Sequence, residues 1–302
     1  MSDDVPQTPS LAPARAPALG YSEQIDTLTR VCVDDLLSAF GLSGLRRGRR
    51  PLELLSRIPA RRLARQIAIY DRIVGESGLG AGGAWALERM ARHVVIEGRE
   101  HVPREGSLLL VSNHPGLADA AALFTSISRP DLRVIAAQWP LLDALPNTLR
   151  HLITVAKVSS SRFGVLRAAA RHLRGGGAVL TFPAGQMEPD PAVMPGAVEA
   201  LERWSVSVDV FAQLAPDLTI VPVAVSGVFS PIAVRNPLTY LRRQEDERRW
   251  LASNLQMLVP ALRNVTPRVT FGASVRTAET GGAVSQRVLA EMRRLIERCE
   301  AR

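Results

Sequence analysis

The pattern of apolar and polar positions changes once along the chain, near residue 93. Before that point apolar side chains recur at helical spacing. Leu63, Ala64, Ile67, Tyr70 and Val74 share one face, with Arg61, Arg62, Arg65 and Arg72 elsewhere around the wheel. After it, short apolar runs at 93–97, 107–112, 132–137, 152–158, 178–182, 220–225 and 269–271 predict strands, and amphipathic stretches at 117–127 and 163–173 predict helices between them. Apolar strands separated by helices imply an α/β fold: a mostly parallel or mixed central sheet flanked by helices, with a helical N-terminal region. Loops beyond the carboxyl ends of such strands are the expected place for a site.

Three segments follow from this pattern. Residues 1–20, rich in Pro, Ala and Ser, predict a disordered tail; 21–92 predict the helical region; 93–302 predict the α/β domain with C-terminal helices. A longer helical region is expected from Asn236-Pro237 to about Val265, the mixed-sign run from Arg242 to Arg249 forming a solvated face. In the tail, Val288, Leu289, Met292, Leu295 and Ile296 make one stripe and predict a packed closing helix. The cluster Arg46-Arg47-Gly48-Arg49-Arg50 fits either solvated arginines on a helical cap or docking at a membrane surface.

Composition narrows the function classes. With 302 residues, 46% of them hydrophobic, the chain can fill one large α/β core without staples. Cys32 and Cys299 lie near opposite ends without metal-type spacing, so neither a disulfide framework nor a metal site is expected. A net charge of +8 suits an anionic membrane or a phosphorylated substrate. Nucleic acid is ranked last, because aromatic and basic residues do not interleave as in a strand binder. No stretch approaches the ~18 apolar residues of a membrane span, and the N-terminus has no secretory h-region, so the expectation is a cytoplasmic protein with at most peripheral contact at the inner face of an anionic membrane.

The segment that comes closest to stating a reaction is Val111-Ser112-Asn113-His114-Pro115-Gly116-Leu117-Ala118-Asp119. It places a histidine at the exit of an apolar strand, a Pro-Gly turn behind it and a carboxylate five residues on. On one ideal helix, positions five apart differ by about 140°, so the pair meets only if His114 belongs to the turn and Asp119 to the first helical turn. A hydroxyl attacks poorly until a base takes its proton, and a carboxylate-held neutral imidazole does this near neutral pH. The alternative from these residues alone is a strand-exit histidine beside a helix-capping aspartate.

Three further segments bear on that choice. Residues 178–188 read as a buried strand ending in Pro183-Ala184-Gly185-Gln186-Met187-Glu188; residues 220–224 form an apolar run with Pro222 inside it; residues 153–162 form an apolar run followed by Lys157, serines and Arg162. This order resembles the glycerolipid acyltransferase family, to which lysophosphatidic acid acyltransferases belong. Asn113-His114…Asp119 resembles its Asn-His-x4-Asp box, residues 182–188 its Phe-Pro-Glu-Gly-Thr-Arg-Ser box, and Val221-Pro222-Val223 its fourth box, over about residues 93–275. The resemblance implies that His114 is a general base, that Asp119 orients it, and that an acyl group passes from acyl-CoA or acyl carrier protein, as co-substrate, to a lipid hydroxyl. It implies no cofactor, metal or covalent acyl-enzyme. Asn113, Pro183, Ala184, Gly185, Gln186 and Glu188 would line the substrates, with the Gly185 turn supplying oxyanion donors. Lys157 or Arg162 would meet the acceptor's phosphate.

The chain departs from that pattern in its third box, where Ala184, Gln186 and Met187 stand in place of the family's glutamate, threonine and arginine. In the second box Lys157, the chain's one lysine, stands nearest in register to an arginine and lacks its bidentate fork. Glu188 either supplies a carboxylate from another direction or faces solvent. Trp139-Pro140-Leu141-Leu142 either lines an acyl groove or joins the core. The departures keep open a non-catalytic lipid-binding protein, and a thioester hydrolase after it.

Overall fold

The computed structural model describes residues 20–45, 48–155, 161–205, 207–279 and 284–301. The expected N-terminal tail falls almost wholly outside these residues, as do Arg46, Arg47 and Lys157. Two long helices, α1 (Tyr21–Ala39) and α2 (Arg49–Met90), precede the sheet. Strands β1 (Val95–Glu97), β2 (Leu108–Ser112), β3 (Arg133–Ala137), β4 (Leu152–Val155), β5 (Ala178–Thr181), β6 (Thr219–Ser226) and β7 (Arg268–Phe271) form the order β1-β7-β6-β2-β5-β3-β4, and β8 (Val275–Arg276) pairs with β6. Five pairings are parallel; β6 meets β7 and β8 antiparallel. The sheet is mixed, flanked by helices and preceded by a helical region.

Burial on both faces explains why the strands read as unbroken apolar runs. All five β2 residues are buried. Leu108 and Leu110 point with Leu180, Val221 and Val223 toward helix α3 (Leu117–Ser126), against Ala118, Ala122 and Leu123. Leu109 and Val111 point the other way, with Val179 and Ile220, toward Leu173, Phe211 and Val288 of three later helices. Truncating one such leucine to alanine costs about 2–5 kcal/mol. Pro222 sits inside β6 where the strand changes partner, since β8 pairs with residues 219–220 and β7 with 223–226. Its carbonyl accepts from Gly272 on that side, so the missing N–H falls at the gap between the two partners.

Helix α2 fixes α3, and so the acid that α3 carries. At Gly78 the backbone leaves helical geometry (φ 84°, ψ 174°), and the second half of α2 then runs against α3. A Cβ on Gly83 would come within 2.7 Å of the Ala121 carbonyl oxygen, so only glycine permits this approach. The first half is stapled through buried Asp71, whose carboxylate accepts from Thr148 N–H and Oγ1 at 2.8 Å each and from Asn147 Nδ2 at 3.2 Å.

Two expectations need correction. The stretch from Asn236 is not one helix: a 3₁₀ turn at Pro237–Leu241, capped by the Asn236 side chain, is followed by extended Gln244, a helix at Glu245–Leu258 and a break at Pro260. Its charged run is not simply solvated, because the Arg249 side chain is 8% exposed and pairs with Asp246 and Glu245, while Arg242 pairs with Glu247 at 2.5 Å. Leu141 and Leu142 pack against the N-terminal helices, and the Trp139 indole reaches Asp35 at 3.4 Å. That segment is half-buried against α1 and α2, with Pro140 exposed.

Candidate active site

Strands β5 and β6 flank β2, both parallel to it, with Val111 beside Thr181 and Ser112 beside Val223. Their carboxyl ends therefore deliver His114, the 182–188 segment and the 227–229 loop to one edge of the sheet. The Pro115-Gly116 turn then starts α3 at Leu117, so His114 lies in the turn and Asp119 in the first helical turn. The two side chains meet: His114 Nδ1 is 2.7 Å from Asp119 Oδ2.

Asp119 is fully buried, yet its carboxylate is well supplied with donors. Besides the imidazole, Oδ2 accepts from Gly116 N–H at 3.1 Å, and Oδ1 accepts from Ala120 N–H at 2.5 Å. An ionised carboxylate only accepts, so a neutral His114 carries its proton on Nδ1, and its Nε2 has no hydrogen-bond partner among the described residues. The His114 side chain keeps 27% of its surface exposed, and its ring lies on Phe182 with centroids 4.7 Å apart. Burial disfavours the imidazolium, but the charge and hydrogen bond of Asp119, with the more distant charge of Glu188, outweigh it. The His114 pKa accordingly stands above the ordinary imidazole value.

Glu188 does not face solvent: it is 1% exposed. Its Oε2 accepts the His114 N–H at 2.9 Å, its own N–H donates to the His114 carbonyl at 2.8 Å, and its Oε1 accepts the Trp204 indole N–H at 2.7 Å. Burial pushes its carboxyl pKa up, against the pull of these donors. Two positions named in the sequence as substrate contacts take other work. Asn113 is buried and spends its amide on β6, accepting from Val225 N–H at 2.8 Å and donating to the Val225 carbonyl at 2.9 Å. Gly185 adopts φ +66°, as a glycine turn should, but its N–H closes that turn on the Phe182 carbonyl at 3.0 Å and cannot also serve an oxyanion. Pro183 is buried, Ala184 half-buried, and Gly185 and Gln186 are exposed beside the dyad's strand exit.

The second-box cations are not brought to the dyad by any described contact. Lys157 lies outside the described residues; Arg162 is the second residue of the helix Ser161–Arg174, and its side chain also lies outside them. Sequence reasoning missed Asp190, which is fully buried and gathers four backbone N–H groups: Ala192 at 3.0 Å, Gly227 and Val228 at 2.8 Å, and Phe229 at 2.9 Å. It thereby ties the loop after β6 to the segment after β5, and Phe229 in that loop packs over Gly116. Its flanking prolines, Pro189 and Pro191, were the available signal for a rigid acidic turn. Arg99 donates to the Ser126 carbonyl at 2.9 Å and the Thr125 carbonyl at 3.3 Å, closing the C-terminus of α3. Among the described residues no group of three or more His, Cys, Asp or Glu side chains gathers as a metal site.

A base with a free Nε2, held by a buried carboxylate at a parallel-sheet edge, can take a proton from a hydroxyl and return it to a leaving group. Residues 93–226 match the family model described as Acyltransferase, a span that runs from before β1 to the end of β6 and holds His114, Asp119 and Glu188. Among curated proteins none matches the sequence. Among solved structures, the chain is similar to the 1-acyl-sn-glycerophosphate (LPA) acyltransferase PlsC from Thermotoga maritima, at 16% identity over 93% of each chain and a TM-score of 0.43.

Proposed function

We propose that the chain is an O-acyltransferase resembling 1-acylglycerol-3-phosphate O-acyltransferases, moving a fatty acyl group from acyl-CoA or acyl carrier protein to a hydroxyl of a glycerolipid or related polar lipid. The observation that carries this reading is the 2.7 Å pair of His114 Nδ1 and Asp119 Oδ2, on a side chain that stays 27% exposed. In the reaction, Nε2 takes the acceptor's hydroxyl proton as the oxygen attacks the thioester carbonyl carbon. The tetrahedral oxyanion collapses, the C–S bond breaks, and the imidazolium returns the proton to the departing thiolate. Asp119 stabilises the imidazolium between the two transfers. Ala184 and Gln186 N–H groups, which no acceptor takes among the described residues, replace Gly185 as the proposed oxyanion donors. Lys157 or Arg162 would neutralise an acceptor phosphate. No metal or redox group enters this scheme, and the proposed setting is the cytoplasmic face of a membrane.

Thiol release from long-chain acyl-CoA, measured with lysophosphatidate and then with other lysolipids, tests the proposal. Transfer that depends on acceptor and disappears in His114→Ala is the expected result. Unchanged transfer in His114→Ala, or none to any acceptor, overturns it. Release that continues without acceptor identifies a hydrolase instead. Lipid binding without turnover identifies the binding protein that Ala184, Gln186 and Met187 keep open.

A further inference from the structure

Large apolar side chains left in water cluster in two short segments, one on α2 and one beside the site. Ile232, Leu238, Tyr240 and Leu241 are 68, 43, 68 and 63% exposed, four of the twelve such residues among those described. They occupy the turn Pro231–Val234 and the 3₁₀ turn Pro237–Leu241, neither of which packs them inward. The buried positions of the same segment, Ala233 and Thr239, hold it to the body. Isolated exposed apolar residues need no explanation, but a run of this kind marks a surface that meets something.

Charge says what it meets. Residues 231–243 contain three arginines, Arg235, Arg242 and Arg243, and no acidic residue. Of the three acids that follow, Glu247 is engaged by Arg242 and Asp246 by Arg249, while the exposed Glu245 lies 3.8 Å from Arg249. Arg248 lies over the Tyr240 ring, 5.2 Å from its centroid, adding a cation at the edge of the apolar patch. Arg235 and Arg243 are exposed and have no ionic partner among the described residues. An apolar patch rimmed by arginine is complementary to a bilayer surface, apolar below its anionic headgroups.

Position ties the patch to the reaction. It begins two residues after Phe229, whose ring packs over Gly116 in the turn between His114 and Asp119. We propose that residues 231–243 form a membrane-docking rim which seats the His114 edge of the sheet on an anionic lipid surface. The purpose of the rim rests on the acyltransferase reading; its occupant does not. Leu54, Leu55 and Ile58 on α2 are exposed as well, at 68, 74 and 66%, and furnish the control.

The test is sedimentation of the full chain with vesicles of phosphatidylcholine alone and of phosphatidylcholine mixed with phosphatidylglycerol. Binding is expected for the mixed vesicles, and a combined Ile232→Ser, Tyr240→Ser, Leu241→Ser variant should bind at least about tenfold more weakly, each inserted side chain being worth roughly that factor. Arg235→Gln with Arg243→Gln should weaken binding about fivefold per charge and flatten its salt dependence. Thermal unfolding should be unchanged in both, since the altered side chains are exposed. Equal binding by the serine variant, loss only in a Leu54→Ser, Leu55→Ser, Ile58→Ser variant, or no binding by the parent chain overturns the proposal. So does a concentration-dependent dimer that the serine variant abolishes while vesicle binding persists. If vesicles bind as expected but no thioester turns over, the rim stands and the acyltransferase reading fails.

Discussion

His114 and Glu188 grip each other through their backbones and one side chain. The His114 N–H donates to the Glu188 carboxylate at 2.9 Å, and the Glu188 N–H donates back to the His114 carbonyl at 2.8 Å. The dyad is thus held from two sides: Asp119 fixes the imidazole through the helix that follows, and Glu188 fixes its backbone from the neighbouring strand exit. This bridge puts a buried negative charge near the base without placing it on the imidazole.

Removing either member of the dyad tests their unequal roles. His114→Ala should lower kcat by about a thousandfold, the scale of a lost general base. Asp119→Asn should cost nearly as much, because an amide can present its NH₂ to Nδ1 and favour the wrong tautomer. Steady-state kinetics on the best acceptor found would check both. Parental activity in Asp119→Asn would refute the orienting role.

The pH profile reports the electrostatics. In the proposed mechanism His114 works as a neutral base, and its pKa is raised because Asp119 and Glu188 outweigh the effect of burial. Activity should therefore rise with pH through a midpoint above the ordinary imidazole value of about 6.5. Glu188→Gln removes one of the charges that favour the imidazolium, so its acidic limb should move to lower pH. The glutamine also turns an NH₂ toward either the His114 or the Trp204 N–H, leaving two donors face to face, and kcat at neutral pH should fall about tenfold. A limb that stays in place would show that Glu188 acts only through packing.

Asn113 offers a test of bracing as opposed to substrate contact. Its amide forms two hydrogen bonds with the backbone of Val225, and both partners are buried. Asn113→Ala leaves the Val225 N–H and carbonyl unpaired and should cost about 2–4 kcal/mol in urea unfolding. Asn113→Asp should be no milder, since it sets a carboxylate oxygen against the Val225 carbonyl. Full stability of the alanine variant would return Asn113 to the set of substrate contacts.

Features carried by one short stretch of chain are legible in the sequence, and those that join distant stretches are not. β2 is legible because the sheet is covered on both faces, which turns Leu108–Val111 into an unbroken apolar run. The His114–Asp119 pair is legible because a Pro-Gly turn brings the two residues together within five positions. Glu188 is not, because the backbone it serves lies 74 residues earlier, and nothing local distinguishes a buried glutamate from a solvated one. The Asn113–Val225 brace spans 112 residues and the Asp71–Thr148 staple 77, and both depend on which strands and helices become neighbours. The single helix expected from Asn236 fails for a local reason: the backbone turns extended at Arg242 and Gln244, and again at Val259, the residue before Pro260.

Asp190 is the strongest test of the loop architecture. A fully buried carboxylate accepting four backbone N–H groups is compensated only while all four are present, and burial still raises its pKa against their pull. Asp190→Ala abandons those donors at once and should cost about 3–5 kcal/mol. Asp190→Asn keeps one oxygen but turns its NH₂ toward N–H donors, so it should recover little. Because Phe229 loses its anchor over Gly116, the residual folded protein should also show lower kcat, with the pH midpoint unchanged since Asp190 does not act on the imidazole. Urea unfolding and a pH profile on the same preparation separate the two effects. A stable Asp190→Ala protein with parental kcat would mean that the 227–229 loop is held by its own packing and that the carboxylate is dispensable.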